Sequence, residues 1–443
     1  MTAERARRLA PLVLATAATQ ASIVVLAPLL VEIGESLDAS VSAVGAARSV
    51  LAGVAFLGSL AVGPLIDRIG VRPLIVRGGL LAAGGAVLTA AAPSLAVFYA
   101  AHAVTGLGVA CLLSAGFAGV GAYFSGRELA WAMGYVIGAQ SLAWIFGNPI
   151  VGVLAEVSWR LSYAVPLTIC AAAVVAGLLL ARVPARTPSA PRAGAGGAGP
   201  PPAGARAATS APDAETADGG PLDVEVPAPP EPLREGLRAV LADRSARRWT
   251  ISETVTYSAW TAELTYTAAF YIDRYGTSLG VIGLLLAGGS LVFLVTSLNT
   301  RRLTDRFPRK PLLVGSAIAM GALLIPILNW APSPLGTFAM FCLVAFFASV
   351  RSTGSSALGL DQLPARPGAM MGARTGAAQL GYMVGAAGGG AVLALWGFGA
   401  LGFALCAGML VSAALLAGVH DPWSDRGRGG RAPAAATVAA AEA

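Results

Sequence analysis

Gly63-Pro64-Leu65-Ile66-Asp67-Arg68-Ile69-Gly70-Val71-Arg72-Pro73-Leu74 joins the second and third long apolar stretches of this chain. A degenerate copy returns 238 positions later as Arg301-Arg302-Leu303-Thr304-Asp305-Arg306-Phe307-Pro308-Arg309-Lys310-Pro311-Leu312. Leu, Asp, Arg, Pro and Leu recur in register, so the chain reads as two related halves, each with the same charged hinge. The offset extends beyond the hinge. Met133, Gly134, Gly138, Leu142, Gly147 and Gly152 align with Met371, Gly372, Gly376, Leu380, Gly385 and Gly390. Small residues match by chance in Ala/Gly-rich sequence, so the charged segment carries the argument.

Outside these hinges the chain is overwhelmingly apolar. Of its 443 residues 56% are hydrophobic and 12% charged, against about 25% charged in soluble proteins. The apolar runs are continuous, not alternating, and approach the roughly 20 residues that span a bilayer as a helix. Twelve spans are expected: about 9–31, 41–64, 73–92, 96–122, 129–155 and 162–182, then about 249–271, 278–300, 311–330, 334–360, 369–394 and 397–419. The fold class is therefore an all-α polytopic membrane protein, twelve transmembrane helices in two pseudo-symmetric six-helix bundles related by a parallel repeat. The expected division is 1–182 for the N-terminal bundle, 183–248 for a linker, 249–420 for the C-terminal bundle and 421–443 for a disordered tail. Residues 183–232 are rich in Pro, Ala and Gly and lack apolar periodicity. From Leu233 to Leu241 apolar residues fall on one helical face among Arg234 and Arg238, as in a short interfacial helix.

Basic residues set the orientation. Arg68, Arg72, Arg127, Arg182, Arg186, Arg301, Arg302, Arg306, Arg309, Lys310 and Arg366 follow even-numbered spans, whereas Glu32, Glu35 and Asp38 lie in an opposite loop. The positive-inside rule then places both termini in the cytoplasm of a cell-membrane protein. The net charge of +7 is dispersed over short loops, which argues against nucleic acid as a partner. Cys111, Cys170, Cys342 and Cys406 all sit in apolar runs without metal-ligand spacing. No cofactor is expected, no phosphate-binding loop of the Gly-x-x-x-x-Gly-Lys-Ser/Thr type is present, and no nucleophile–base cluster suggests an enzyme.

With these residues assembled, the chain resembles the major facilitator superfamily over about 9–420, the linker excepted. Gly63-x-Leu65-x-Asp67-Arg68-x-Gly70-x-Arg72 looks like the family's signature between its second and third helices. The resemblance implies that Gly63, Asp67, Arg68, Gly70 and Arg72 form a conformational latch, with Asp305 and Arg306 its weaker counterpart and Arg374 a candidate partner. An acid at a helix N-terminus beside an arginine is physically apt for this. Arg301 and Pro308 replace the glycines in the second copy, which suggests a looser, mostly electrostatic joint. His102-Ala103-Val104-Thr105-Gly106-Leu107-Gly108 echoes a family motif in which an arginine stands where His102 does. Gly147, Pro149 and Gly152, with Asn148 splitting the Gly-Pro pair, resemble the antiporter signature and its helix kink.

Ionisable side chains inside spans are costly and are functional candidates by default. His102, Glu263 and Arg351 are candidates for proton coupling; Glu253 reads better as an acid reaching the cytoplasmic interface. Gln20, Trp144, Asn148, Tyr257, Trp260, Tyr266, Gln379 and Tyr382 are candidates to line the substrate site, an aromatic and polar set suited to an amphipathic ligand. Trp144 and Tyr382 are related by the 238-residue offset and are expected on opposite walls. The expected function is secondary active transport by alternating access: proton-coupled export of a drug, sugar or metabolite by a monomer whose partners are substrate, protons and lipid. An importer of a sugar or organic acid and a membrane sensor without transport are the alternatives.

Overall fold

The computed structural model describes residues 3–124, 126–180 and 233–421. The linker 183–232 and the tail 422–443 lie outside the described residues, as do the expectations made for them. The described chain is helical, without strands.

In the first half, α1 (Ala3–Val24) passes through a 3-10 turn (Ala27–Leu29) into α2 (Leu30–Leu37), making one long traverse. α3 (Val41–Ile69), α4 (Val71–Ala90), α5 (Leu95–Tyr123) and α6 (Gly126–Val157) follow, and a short α7 (Trp159–Ser162) leads into α8 (Ala164–Leu179). In the second half a short α9 (Leu233–Ala242) precedes α10 (Arg244–Tyr275), α11 (Leu279–Arg306), α12 (Arg309–Asn329), α13 (Pro334–Leu360) and α14 (Pro367–Ala417).

Among the described residues, ten segments are long and apolar enough to cross a membrane. Two local facts reconcile ten with the expected twelve. α14 is two traverses joined without a loop, bent at Gly397, whose φ of 76° is a backbone region that only glycine occupies cheaply. α10 has the length of a span but not the apolarity. Its polar side chains Ser252, Glu253, Thr256, Thr261, Glu263 and Thr265 are buried inside the protein. Hydropathy underrates a helix whose polar face turns inward.

The segment quoted at the outset is less of a loop than its polarity implies. α3 continues helically through Asp67 and Arg68 to Ile69, and the chain reverses at Gly70 alone, whose φ is 81°. In the second copy α11 runs on to Arg306, and the break is made by Phe307 and Pro308 in extended conformation. The repeat thus conserves a helix–break–helix corner and changes the residue that makes the break.

α9 forms over the predicted stretch, but it is not simply laid on a lipid surface. Val240 is buried in a small core with Trp249, Leu313, Leu358, Met370 and Leu416, and Gly236 abuts Ala369. Leu237 and Leu241 remain about half exposed beside exposed Arg234 and Arg238. Asp243 then caps α10 through the Ala246 amide at 2.7 Å.

The two halves meet most closely at the end remote from the charged corners. Along α6 and α11, a Cβ on Gly152 would run into the Leu279 carbonyl, and one on Gly283 would lie 2.5 Å from the Asn148 carbonyl oxygen. Glu156 accepts the Gly280 amide of the α11 N-terminus at 3.1 Å, capping a helix of the other half. Along α3, the Ser49 hydroxyl donates to the Met383 carbonyl of α14 at 2.7 Å, and a Cβ on Gly45 would meet the Tyr266 hydroxyl at 2.5 Å. Nearer the corners the approach is looser: a Cβ on Gly376 would lie 3.6 Å from the Phe56 ring of α3, and one on Gly134, Gly138 or Gly372 would meet nothing within 4 Å.

The second half also encloses a polar network. Glu253 of α10 is fully buried, and Arg351 of α13 is 2% exposed. Arg351 Nη1 donates to Glu253 Oε1 at 2.9 Å, as does the Ser355 hydroxyl. Arg351 Nη2 donates to the Ser412 hydroxyl at 3.1 Å, and Ser412 continues to Ser252 and Thr256. Removing one member of such a pair strands the other charge without water, which costs about 3–5 kcal/mol, whereas replacing both by apolar groups is often neutral. Glu253→Gln is therefore expected to destabilise the second half by about 3 kcal/mol or more, and Glu253→Leu with Arg351→Leu to recover part of that loss, Arg374 still losing its acid; thermal unfolding of the detergent-solubilised chain measures both. For the contact between halves, Gly152→Val is expected to push α6 and α11 apart by about 1–2 Å, read as a lengthened distance between spin labels at the exposed positions 157 and 281.

Candidate functional site between the halves

The predicted lining residues assemble in two groups, one on each side of the contact between halves. In the first half, Trp144 Nε1 of α6 donates to Gln20 Oε1 of α1 at 2.9 Å, and Gln20 Nε2 donates to Gln140 Oε1 at 3.0 Å. Gln140 escaped the sequence reading. It lies one helical turn before Trp144, a spacing that could have pointed to it. Asn148 is placed differently from this pair. It is fully buried, its amide bonded back to the Trp144 carbonyl at 2.8 Å, in the stretch of α6 that packs on α11. Pro149 follows inside the helix, and Gly147 faces Val24 of α1.

In the second half, Tyr382 of α14 meets Tyr257 of α10 edge-on, ring centroids 5.5 Å apart. The Arg374 guanidinium lies over the Tyr257 ring at 5.9 Å. Trp260 stacks at a tilt on Phe293 of α11 at 6.3 Å. Gln379 is buried one turn of α14 before Tyr382. Tyr266, 1% exposed, donates to the Ala386 carbonyl at 2.7 Å and reaches α3 beside Gly45. Trp144 and Tyr382 thus lie in opposite halves.

The ionisable candidates separate by environment. Arg351 joins Glu253 in the network described above, so Glu253 does not reach the interface as the sequence reading expected. Burial on the inner face of α10 and the arginine of α13 hold it inside. Arg374 belongs to the same network: its Nε lies 3.5 Å from Glu253 Oε2, and its Nη2 donates to the Ser352 hydroxyl at 3.2 Å. His102 is buried, with Nδ1 on the Phe98 carbonyl at 2.9 Å and its ring 4.4 Å from that of Phe98. It lines a small cavity inside the first half with Ser22, Ala86, Thr89, Thr105, Tyr163 and Pro166. Glu263 is 4% exposed, and neither carboxyl oxygen has a partner.

Of the residues expected to form a latch, Gly63 lies in the last turns of α3, and Arg68 and Arg306 are exposed near the ends of α3 and α11. Arg72 Nη2 donates to the Leu178 carbonyl at the end of α8, 2.7 Å away, which ties the corner to its own half. The side chains of Asp67 and Asp305 lie outside the described residues. One further charged group escaped the sequence reading. Arg48 lies in α3, only 5% exposed, at the contact with the second half.

Comparison with known proteins accords with this geometry. The family description "Major Facilitator Superfamily" matches residues 12–278 and 249–440. An uncharacterised MFS-type transporter of Bacillus subtilis, YwfA, is 26% identical over 160 residues, an alignment spanning 34% of this chain and 39% of that protein. Among solved structures, a bacterial homologue of the human lysosomal transporter Spinster, in an inward-facing and unoccupied conformation, superposes with a TM-score of 0.65 at 14% identity over 94% of this chain and 95% of its own. The nucleoside transporter NupG, as a point variant, superposes with a TM-score of 0.69 at 11% identity over 94% of this chain and 100% of its own. These identities carry the fold and no more. Two helical bundles joined at a glycine-packed seam, repeated charged corners and a family match over most of the length lead to one assignment: this chain is a multi-pass membrane protein of the major facilitator superfamily, a membrane transporter.

Proposed function

We propose that this transporter is a proton-coupled exporter of a small organic compound, acting as a monomer in the plasma membrane with both termini in the cytoplasm. The charged corners at 63–72 and 301–310 then face the cytoplasm as latch and counter-latch. The closed far end makes the present arrangement inward-facing. Cargo would enter between Gln20 and Trp144 on one side and Tyr257, Tyr382 and Gln379 on the other.

The observation that carries the proton coupling is Glu263. Among the described residues it is the one carboxylate with both oxygens buried and unpartnered. An ionised carboxylate in that setting has neither water nor counter-charge, so the group is stable there only with its proton on. Opening the far end would hydrate α10 and release the proton, so the two states differ in proton affinity and a gradient can bias the cycle. His102 is the lesser candidate, because its bond to Phe98 and its ring packing account for its burial. Arg351 serves as the counter-charge of Glu253.

The test begins with a strain stripped of its own efflux pumps, in which this chain is expected to raise resistance to at least one compound of a growth screen. In proteoliposomes loaded with that compound, an imposed pH gradient is expected to drive flux. Glu263→Gln should reduce gradient-driven flux by about tenfold or more while leaving exchange across equal pH intact, because a permanently neutral side chain still permits the loaded carrier to cycle. His102→Gln should keep most of both. Full gradient-driven flux in the Glu263→Gln carrier would sink the assignment of the proton to that residue. Uptake instead of extrusion in vesicles of known orientation would reverse the direction.

A further inference from the structure

The second half and its cytoplasmic edge show how this protein treats a buried arginine. Arg351, 2% exposed, has Glu253 at 2.9 Å. Arg309, its side chain 13% exposed, has Asp361 at 2.8 Å and Asp421 at 2.6 Å. Arg374 leans on the same Glu253 at 3.5 Å. Each cation is matched by a protein carboxylate, as the cost of an unpaired buried charge demands.

Arg48 departs from that pattern. It lies seven residues into α3, about 10 Å along the helix axis, and α3 has no acid before Asp67. Among the described residues no carboxylate pairs with it, and its Nη1 is buried without any hydrogen-bond partner. Tyr266 and Tyr382 lie close enough to act on it electrostatically. Its place is equally specific. Gly45, Arg48, Ser49 and Ala52 share one stripe of α3, and Gly45 and Ser49 on that stripe touch Tyr266 and Met383 of the other half. The unmatched guanidinium therefore faces the seam between halves, beside Tyr382, whose ring borders Tyr257.

We propose that Arg48 is a substrate-binding residue whose missing counter-charge is the cargo itself, and that the cargo is an organic anion, an aromatic carboxylate in preference to a neutral or cationic compound. A guanidinium takes a carboxylate through two parallel N–H donors. Tyr382 and Tyr257, edge-on to each other, offer ring faces to the aromatic part. Tyr266 does not replace the carboxylate: its hydroxyl, which donates to the Ala386 carbonyl, is neutral and brings no negative charge to match the guanidinium. In the empty carrier the orphan donor makes the closed seam costly. A carboxylate bridging Arg48 and the tyrosines would relieve that cost, so the cargo would favour the occluded state it must pass through. The inference rests on the reading that the space between the halves binds cargo, and it adds the charge and class of that cargo.

The full chain in lipid nanodiscs is titrated with three matched sets: benzoate, 4-hydroxybenzoate and phenylacetate; their methyl esters; and the corresponding primary amines. Binding is followed by tryptophan fluorescence and by thermal shift, in potassium gluconate and in potassium chloride. The acids are expected to bind and to stabilise the carrier, and the esters and amines to do neither. Arg48→Gln should weaken acid binding by about tenfold or more, and Arg48→Lys should restore part of it, since a lysine keeps the charge but not the fork. Because Arg48→Gln is free to perturb the seam, the lysine variant and an unchanged family-typical helical signal guard against simple misfolding. Equal binding of acid and ester, or undiminished acid binding by Arg48→Gln, overturns the proposal. So does a stabilisation that chloride alone reproduces, which would make Arg48 an inorganic-anion site, and so does the absence of binding across the whole acid set. Flux of the screened compound in the same preparation separates the two readings: transport that persists without acid binding refutes the anion and leaves the carrier standing.

Discussion

The close approach of backbones across the seam between halves is the constraint on which the rest of the structure depends. At Gly152 against Leu279, Gly283 against Asn148 and Gly45 against Tyr266 there is no room for a Cβ. In a bilayer, helices gain little from burying apolar surface, so their association relies on packing and on hydrogen bonds that small residues permit. Ser49 to Met383 and Glu156 to the α11 N-terminus are such bonds. Because these contacts concentrate at one end, the halves can be tight there and apart at the other. Everything placed along the seam, including Arg48, Tyr266 and Tyr382, takes its environment from this asymmetry.

Charge is managed differently in the two halves. The second half gathers Glu253, Arg351 and Arg374 in one network fed by serine hydroxyls, which ties α10 to α13 and α14 with Glu253 and Arg351 buried and Arg374 about a quarter exposed. Glu253 Oε2 and Arg351 Nε keep no hydrogen-bond partner even there, so the network holds polar capacity beyond what it uses. The first half contributes a lone histidine against Phe98 and a lone arginine at the seam. A structural cation is supplied with an acid. Arg48 has no acid among the described residues, which is the basis for the cargo site proposed there.

Much of the fold was legible before any coordinate. The twelve traverses, the repeat and the amphipathic helix before α10 all follow from period and charge. Two features blurred the reading. The corner residues 63–69 look like loop because they are charged, yet they continue α3, since charge at a helix end is no bar to helix. α10 carries acids through its length because its polar face is internal. In the candidate site, Gln20, Trp144, Tyr257 and Tyr382 stand out in sequence as polar or aromatic groups in spans. Arg48 does not, because an arginine near a span end ordinarily reaches for headgroups. Only its burial against α14 reveals that it does not.

The sequence by itself determined the membrane as solvent, the two-half architecture and the family, because apolar run length and a repeated charged corner are one-dimensional signals. The tertiary structure alone decided which charges are neutralised within the protein. Glu253 meets Arg351 across 98 positions of chain, Arg309 meets Asp421 across 112, and Arg48 has no acid among the described residues, with Tyr266 and Tyr382 within electrostatic reach. Pairing depends on which helix faces pack together, and in lipid that is set by sub-ångström clearances between small residues that no composition or periodicity records.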